Sequence, residues 1–319
     1  MSEILTVTLN PCLDLSAATP QVSAGPKLRL QDPREEPGGG GINVARAIAA
    51  LGGQATAAAA LGGVTGARVM KLLEPSGVTV ARFRIEGETR QSLAVTEDET
   101  GAQYRFVMPG PLWSADLAAA FLTRVREESQ RIGAGAVVVL SGSQPQGVPD
   151  DFAQELARQV APSRLIVDTS GSALSYLVAH PDPQQPLFAL RMDLRESEAL
   201  AGRALDRVSN SLDFAQTLVR GGVAQVVILA RGAEGSVLAS KTLRLHCAPP
   251  DVPVASKVGA GDSFTGGFAL ALAQGADLAE ALRTGTAAAS AAVMTPGSGL
   301  CRAEDVARLS ADCQIHTLP

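Results

Sequence analysis

The feature that most constrains the fold is a repeated change of hydrophobic period beyond about Gly133. Short apolar, β-branched runs at 137–140, 165–167, 187–190 and 226–229 alternate with longer amphipathic stretches, among them 150–160 and 211–219. Runs without a polar face are strands buried on both sides, and strand–helix–strand repeats make them parallel, with helices on both faces of the sheet. Right-handed crossovers then bring the carboxyl ends of the strands to one edge, where open α/β sheets bind ligands. At four of those ends the sequence turns polar: Ser141-Gly142-Ser143, Asp168-Thr169-Ser170, Arg191-Met192-Asp193 and Arg231-Gly232. Any one of these is what a strand entering a loop looks like; the four together predict a site.

The first third reads differently. Residues 27–31 and 90–96 alternate polar and apolar, and 104–108 has similar β character, the pattern of antiparallel strands with one wet face. A small β-sheet lid, built from about 13–35 and 81–110, is expected on a mostly parallel α/β core. No Pro/Ser-rich linker or internal repeat divides the chain, so one domain over 1–319 is expected.

Composition narrows the chemistry. At 46% hydrophobic and 18% charged, the 319 residues fit a folded globular chain. A net charge of −5 gives no basic field for nucleic acid, so any bound anion must be held by local donors. No apolar run approaches the roughly 20 residues of a membrane helix; the longest small-residue stretch, 265–294, is cut by Asp277, Glu280 and Arg283. The N-terminus has an acid at Glu3 and no basic segment, unlike a signal peptide. Cys12, Cys247, Cys301 and Cys313 form no CxxC pair, which argues against a disulfide framework and for a reducing, cytoplasmic setting. The three histidines form no HExxH, and neither GxSxG nor a Walker GxxxxGK[ST] occurs, against zinc hydrolase, serine hydrolase and P-loop chemistry.

The strongest chemical motif is 258–264, Val-Gly-Ala-Gly-Asp-Ser-Phe, running into an expected helix over 265–272. Gly259 and Gly261 let the backbone curl so that successive N–H groups face one point, and the helix N-terminus adds its positive end. Gly259, Ala260 and Gly261 would stabilise a phosphoryl group in transfer, with Asp262 beside them, ionised at neutral pH, as the base for an acceptor hydroxyl. Taken alone, an Asp after glycine is more often a helix cap. A second motif, Pro37 followed by Gly38, Gly39, Gly40 and Gly41 and then Asn43, allows close ligand approach, with Asn43 placed to bond a sugar hydroxyl; tight helix packing is the plainer alternative. Lys27, Arg29 and Arg90 in the lid fit an anionic substrate, or else solvated edge-strand charges. Asp14 and Glu196 are acids of the kind that sit near bound ATP and Mg²⁺, often through water; each alone reads as a surface acid.

Together these motifs resemble the ribokinase-like family, and within it the phosphofructokinase B branch of sugar-phosphate kinases, over essentially the whole chain. Residues 9–14 resemble the N-terminal substrate motif, 36–53 the first signature and 258–267 the second; 27–29, 103–110 and 141–149 are similar to members that phosphorylate fructose 6-phosphate. The resemblance implies a ribokinase-like three-layer fold whose β lid often forms a homodimer interface, with ATP and Mg²⁺ required. It implies Asp262 as base and 259–261 as anion hole. Asp14, Gly38, Gly39 and Asn43 become sugar contacts, and Lys27, Arg90 and Ser143 contacts to the substrate's phosphate, with Arg29 nearby. Arg191, Asp193, Gly232, Gly235 and Lys257 fall on the ATP side, and Glu196 organises Mg²⁺ through water.

The implied reaction is phosphorylation of fructose 6-phosphate to fructose 1,6-bisphosphate. Fructose 1-phosphate and tagatose 6-phosphate are alternative acceptors, and a non-catalytic sugar-phosphate-binding protein is the alternative of another class. The sequence departs from the family where Arg191-Met192-Asp193 replaces Lys-Pro-Asn, where Ala230 replaces Ser or Thr, and where Lys257 replaces Thr. The extra charge at Asp193 predicts an altered Mg²⁺ dependence rather than loss of activity, and Lys257 is placed to offset Ala230 by reaching a phosphate.

Overall fold

The structure is a computed structural model that describes residues 4–133, 135–297 and 299–319; Glu3, used above against a signal peptide, lies outside them. Among the described residues the strands are β1 (Ile4–Thr8), β2 (Cys12–Thr19), β3 (Gln31–Gly38), β4 (Ala55–Leu61), β5 (Thr79–Arg84), β6 (Arg90–Glu97), β7 (Gln103–Val107), β8 (Val137–Ser141), β9 (Arg164–Asp168), β10 (Leu187–Asp193), β11 (Ala224–Ala230), β12 (Ser236–Ser240), β13 (Arg244–Ala248) and β14 (Gln314–Thr317). The helices are α1 (Gly40–Ala50), α2 (Gly63–Leu73), α3 (Ala115–Ile132), α4 (Phe152–Val160), α5 (Gly171–Ala179), α6 (Leu194–Ala201), α7 (Val208–Arg220), α8 (Ala260–Ala273), α9 (Leu278–Val293) and α10 (Ala303–Asp312).

One sheet runs β14-β13-β12-β11-β10-β9-β8-β1-β4-β5. Its pairings from β11 through β5 are parallel, and the β11–β12–β13–β14 end is antiparallel. The expected four apolar runs are β8, β9, β10 and β11, and the period-2 rule shows why they contain no polar face. Val137 and Val139 of β8 and Val226 and Ile228 of β11 point into a core with Phe264 and Phe268 of α8. Val138, Leu140, Val227 and Leu229 point into the opposite core with Phe121 of α3 and Leu156 of α4. Strands covered on both faces cannot alternate. This is the three-layer ribokinase-like architecture that the sequence implies.

The second sheet, β3-β2-β6-β7, is the lid. It pairs β2 with β6 in parallel and is antiparallel elsewhere. Two expectations about it are corrected. Residues 81–84 belong to β5, at the edge of the main sheet beside β4, not to the lid; a crossover through α2 carries the chain there. Residues 27–30 are not a strand, since β3 begins at Gln31. Their alternation reflects an exposed connection, with Leu28 and Leu30 about two-fifths exposed, not a wet-faced ladder. No helix among the described residues is long and apolar enough to cross a membrane.

The glycine run enters α1 because side chains would not fit there. A Cβ on Gly40 would lie 2.4 Å from the Ser141 hydroxyl, and one on Gly41 2.5 Å from the Val7 carbonyl oxygen. α1 therefore packs directly onto the ends of β1 and β8. Gly266 does the same for α8, where a Cβ would lie 2.9 Å from that of Ala47. The two helices that carry Asn43 and Asp262 are held at backbone contact.

Candidate active site

The sheet's carboxyl edge opens into a cavity of about 230 Å³. Its lining residues come from three of the four polar strand ends, 141–143, 168–170 and Arg191 with Asp193, joined by Glu196, Gly261 and Asp262. The fourth, Arg231, is a correction. Its guanidinium is buried and turned into the fold, donating to the Leu205 and Asp206 carbonyls, the Ser211 hydroxyl and Glu234. It braces the connection between α6 and α7 rather than facing the cleft.

Asp262 lies in the first turn of α8 but does not cap it. The helix is entered through Gly259 at φ 79°, with no side-chain cap, a backbone conformation that favours glycine. The first helical hydrogen bond is donated by Ser263 N–H to the Gly259 carbonyl at 2.9 Å. The N–H groups of Ala260, Gly261 and Asp262 thus have no acceptor within the helix, which is what makes a helix start an anion site. The Asp262 carboxylate instead accepts from Asn43 Nδ2 at 3.0 Å. Burial pushes its carboxyl up from 3.8 to about 7; Asp168 and Asp14 add to the rise, while the Asn43 hydrogen bond and Arg191 oppose it. The expectation of an ionised Asp262 at neutral pH thus meets an upward shift caused mainly by burial.

Arg191 fills the centre. Its Nη1 lies 3.3 Å from both oxygens of Asp168, its guanidinium lies over the Phe264 ring at 6.0 Å, and a Cβ on Gly261 would meet it at 2.9 Å. Burial works against its charge, but Asp168, Asp262 and Glu196 more than offset that and raise its pKa. Asp168 also accepts from Thr265 Oγ1 at 3.0 Å, tying β9 to α8. Asp193 and Glu196 form a reciprocal capping box at the start of α6, each accepting the other's N–H at 2.8 Å. The carboxylate at Asp193 thus has a local job that an amide would also fill. Burial and the neighbouring Asp193 and Asp168 raise the Glu196 pKa against its own hydrogen bond and Arg191.

On the lid side, Asp14 accepts from Ser92 Oγ at 2.6 Å. A Cβ on Gly38 would lie 2.0 Å from the Asp14 carboxylate, so glycine there seats that acid. Gly39, at φ 110°, passes over Thr8 and Pro11. Arg90 is opposite Cys12 in the β2–β6 ladder and half-buried, with its Nε unpaired. Ser143 Oγ accepts from Asn10 Nδ2 at 3.4 Å. The structure thus brings Asp14, Gly38, Gly39, Asn43, Arg90, Ser143, Arg191, Asp193, Glu196 and 259–262 to one edge. It leaves Lys27, Arg29 and Lys257 exposed; of the expected site residues, Ser143, Arg191, Asp193, Glu196, Gly261 and Asp262 line the cavity, and Asp14, Gly38, Gly39, Asn43, Arg90, Gly232, Gly235, Lys27, Arg29, Lys257, Gly259 and Ala260 do not. Gly235 has a packing reason of its own, since a Cβ would lie 2.0 Å from the Cys247 carbonyl oxygen. Sequence reasoning gave no role to Asp168, Arg46, Ser92, Thr265 or Asn10, although Asp168 stands at a polar strand end and Asn10, Arg46 and Thr265 lie within the motifs at 9–14, 36–53 and 258–267.

A profile of the pfkB family of carbohydrate kinases matches residues 7–305. The chain belongs to that family. It is 40% identical over 313 residues to the ATP-dependent 6-phosphofructokinase isozyme 2 of Escherichia coli (strain K12), covering 98% of this chain and 99% of that one. It is 32% identical over 289 residues to the 1-phosphofructokinase of Xanthomonas campestris pv. campestris, covering 89% of each. The crystal structure of phosphofructokinase-2 from Escherichia coli in complex with fructose-6-phosphate superimposes with a TM-score of 0.87 at 38% identity, over 98% of this chain and 99% of that one. As a member of the family this chain is a sugar kinase, a phosphotransferase with an alcohol acceptor.

The raised Asp262 pKa has a signed consequence. Between pH 4 and 7 the folded protein keeps a proton that the unfolded chain has released, so this carboxyl costs stability progressively through that window and fully above it. Asp262→Asn is expected to melt a few degrees above the wild type at pH 8 and at the same temperature at pH 3.5, by scanning calorimetry. An equal shift at both pH values would contradict the assignment.

Proposed function

We propose that this kinase transfers the γ-phosphoryl group of ATP to the 1-hydroxyl of fructose 6-phosphate, giving ADP and fructose 1,6-bisphosphate. The observation that carries the reading is that Asp262, hydrogen-bonded to Asn43, and Gly261 line one cavity at the start of α8. In this reading Asp262 takes the hydroxyl proton as the acceptor oxygen bonds to phosphorus and the bond to ADP breaks. The amides at the start of α8 and the Arg191 guanidinium receive charge that spreads over the transferring oxygens. Asp14, Gly38, Gly39 and Asn43 orient the sugar, and Arg90 and Ser143 hold its phosphate, with Lys27 and Arg29 carried in from the exposed connection. Gly232, Gly235 and Lys257 take the nucleotide side. Fructose 6-phosphate is favoured over the other acceptors by similarity to the Escherichia coli enzyme across nearly its whole length.

The residues fit a divalent cation. Glu196 Oε2 is held by the Asp193 amide, and burial, with Asp193 and Asp168 beside it, raises the Glu196 pKa. One carboxylate with water and phosphate oxygens is how Mg²⁺ is held with a nucleotide; when bound, it neutralises the phosphate oxygens. A cytoplasmic setting suits the four buried, free cysteines.

The test is ADP release over a panel of hexose phosphates and unphosphorylated sugars, at graded Mg²⁺. Fructose 6-phosphate should rank first by kcat/KM, Asp262→Asn should lower turnover about 10²–10⁴-fold, and Asp193→Asn should change the metal dependence. Another hexose phosphate ranking first would replace the acceptor, and binding without any ADP release would replace the kinase reading by a sugar-phosphate-binding one.

We also propose that two copies pair through their lids. Phe106 and Met108 are 55% and 50% exposed, with Tyr104 on the same face of β7, exposed apolar side chains of the kind that mark an interface. Phe106→Asp is expected to turn a sedimenting dimer into a monomer; a monomeric wild type would remove the proposal.

A further inference from the structure

Outside the groups given roles above, one side chain sits behind the site in a geometry that the reaction needs. Arg46 lies one turn beyond Asn43 on α1 and is mostly covered. Its Nη1 donates to the Asn43 side-chain oxygen at 3.2 Å and to the Pro37 carbonyl at 3.0 Å. Its Nη2 lies 3.6 Å from Glu36 Oε1. Glu36 and Pro37 are the last residues of β3 before the glycine run. One guanidinium therefore joins the strand entering that run to the helix leaving it.

The chemistry of the three groups fixes the direction of the chain of hydrogen bonds. A guanidinium can only donate and an ionised carboxylate can only accept. An amide between them must present its oxygen to Arg46 and its NH₂ to Asp262, which removes the usual ambiguity of an asparagine. If the Arg46 contact is lost, the amide is free to rotate and can turn its oxygen toward the carboxylate.

We propose that Arg46 is a positioning residue for the transfer: it locks the Asn43 amide with its NH₂ toward Asp262, and through it sets the orientation and charge of the base. This rests on Asp262 being the base. The other charged groups facing Asp262 are Asp168 from β9, Arg191 from β10 and Asp14 from β2; Arg46 acts on none of them by a hydrogen bond among the described residues.

The test reads the relay with and without the reaction. In unliganded protein, ¹³C NMR titration of the aspartate carboxyls, with Asp262 assigned by its disappearance in Asp262→Asn, gives the midpoint directly. Arg46→Met should move that midpoint upward by at least about half a pH unit, and Arg46→Lys by less, because an ammonium can still donate to one of the two acceptors. In the kinase assay, Arg46→Met should lower kcat about tenfold to a hundredfold, move the acid limb of kcat/KM upward and leave the KM for ATP unchanged, with Arg46→Lys restoring part of each. A merely structural role would lower the melting temperature without moving the midpoint. A folded Arg46→Met with a wild-type midpoint and kcat overturns the proposal; if that variant does not fold, a wild-type midpoint and kcat in Arg46→Lys overturns it. The NMR arm is independent of turnover, so failure of the relay and failure of the kinase reading give different results.

Discussion

The packing of α8 against α1 sets the distance between Asp262 and Asn43, and that packing depends on side chains that are missing. Gly266 lets α8 meet Ala47, while Gly40 and Gly41 let α1 press against the ends of β8 and β1. Each added methyl would fall inside van der Waals contact with backbone or a buried side chain, and a packed core yields to that only by shifting an element. A shift of either helix would open the 3.0 Å hydrogen bond between Asn43 and Asp262. Gly40 and Gly41 thus hold the site together mechanically, whereas Gly38 seats the Asp14 carboxylate.

Electrostatics completes the arrangement. Asp14, Asp168, Asp262 and Glu196 lie near one edge with Arg191 among them, and burial leaves the carboxyls short of positive charge. Such a cleft gathers negative charge around a single guanidinium. Burial, with Asp168 and Asp14 beside it, raises the Asp262 carboxyl to about 7. Folding stability is given up for this, as it commonly is where function needs a strained or charged group.

The fold was legible because β8–β11 are apolar on both faces, and only a doubly covered parallel sheet makes that pattern. The lid was legible in outline but not in its bounds. Residues 81–84 have the same β composition whether they pair with β4 or within the lid, and pairing partners are not encoded in local alternation. Residues 27–31 alternate like a strand, yet most of them form an exposed connection. At the site, glycine spacing and the acid after it marked Asp262. Arg231 misled, because a polar residue at a strand end can turn inward as readily as toward a ligand. Arg46 was invisible as a functional residue, since its meaning comes from contacts with Pro37 and Asn43 that only the three-dimensional arrangement creates.

The most direct measurement of the central claim is a crystal structure with fructose 6-phosphate and a non-hydrolysable ATP analogue bound together. The account predicts the acceptor hydroxyl within about 2.6–3.2 Å of an Asp262 oxygen, with the terminal phosphoryl group lying against the amides at the start of α8. A sugar bound in the cleft with its hydroxyl out of reach of Asp262, and the phosphoryl group held elsewhere, would contradict it.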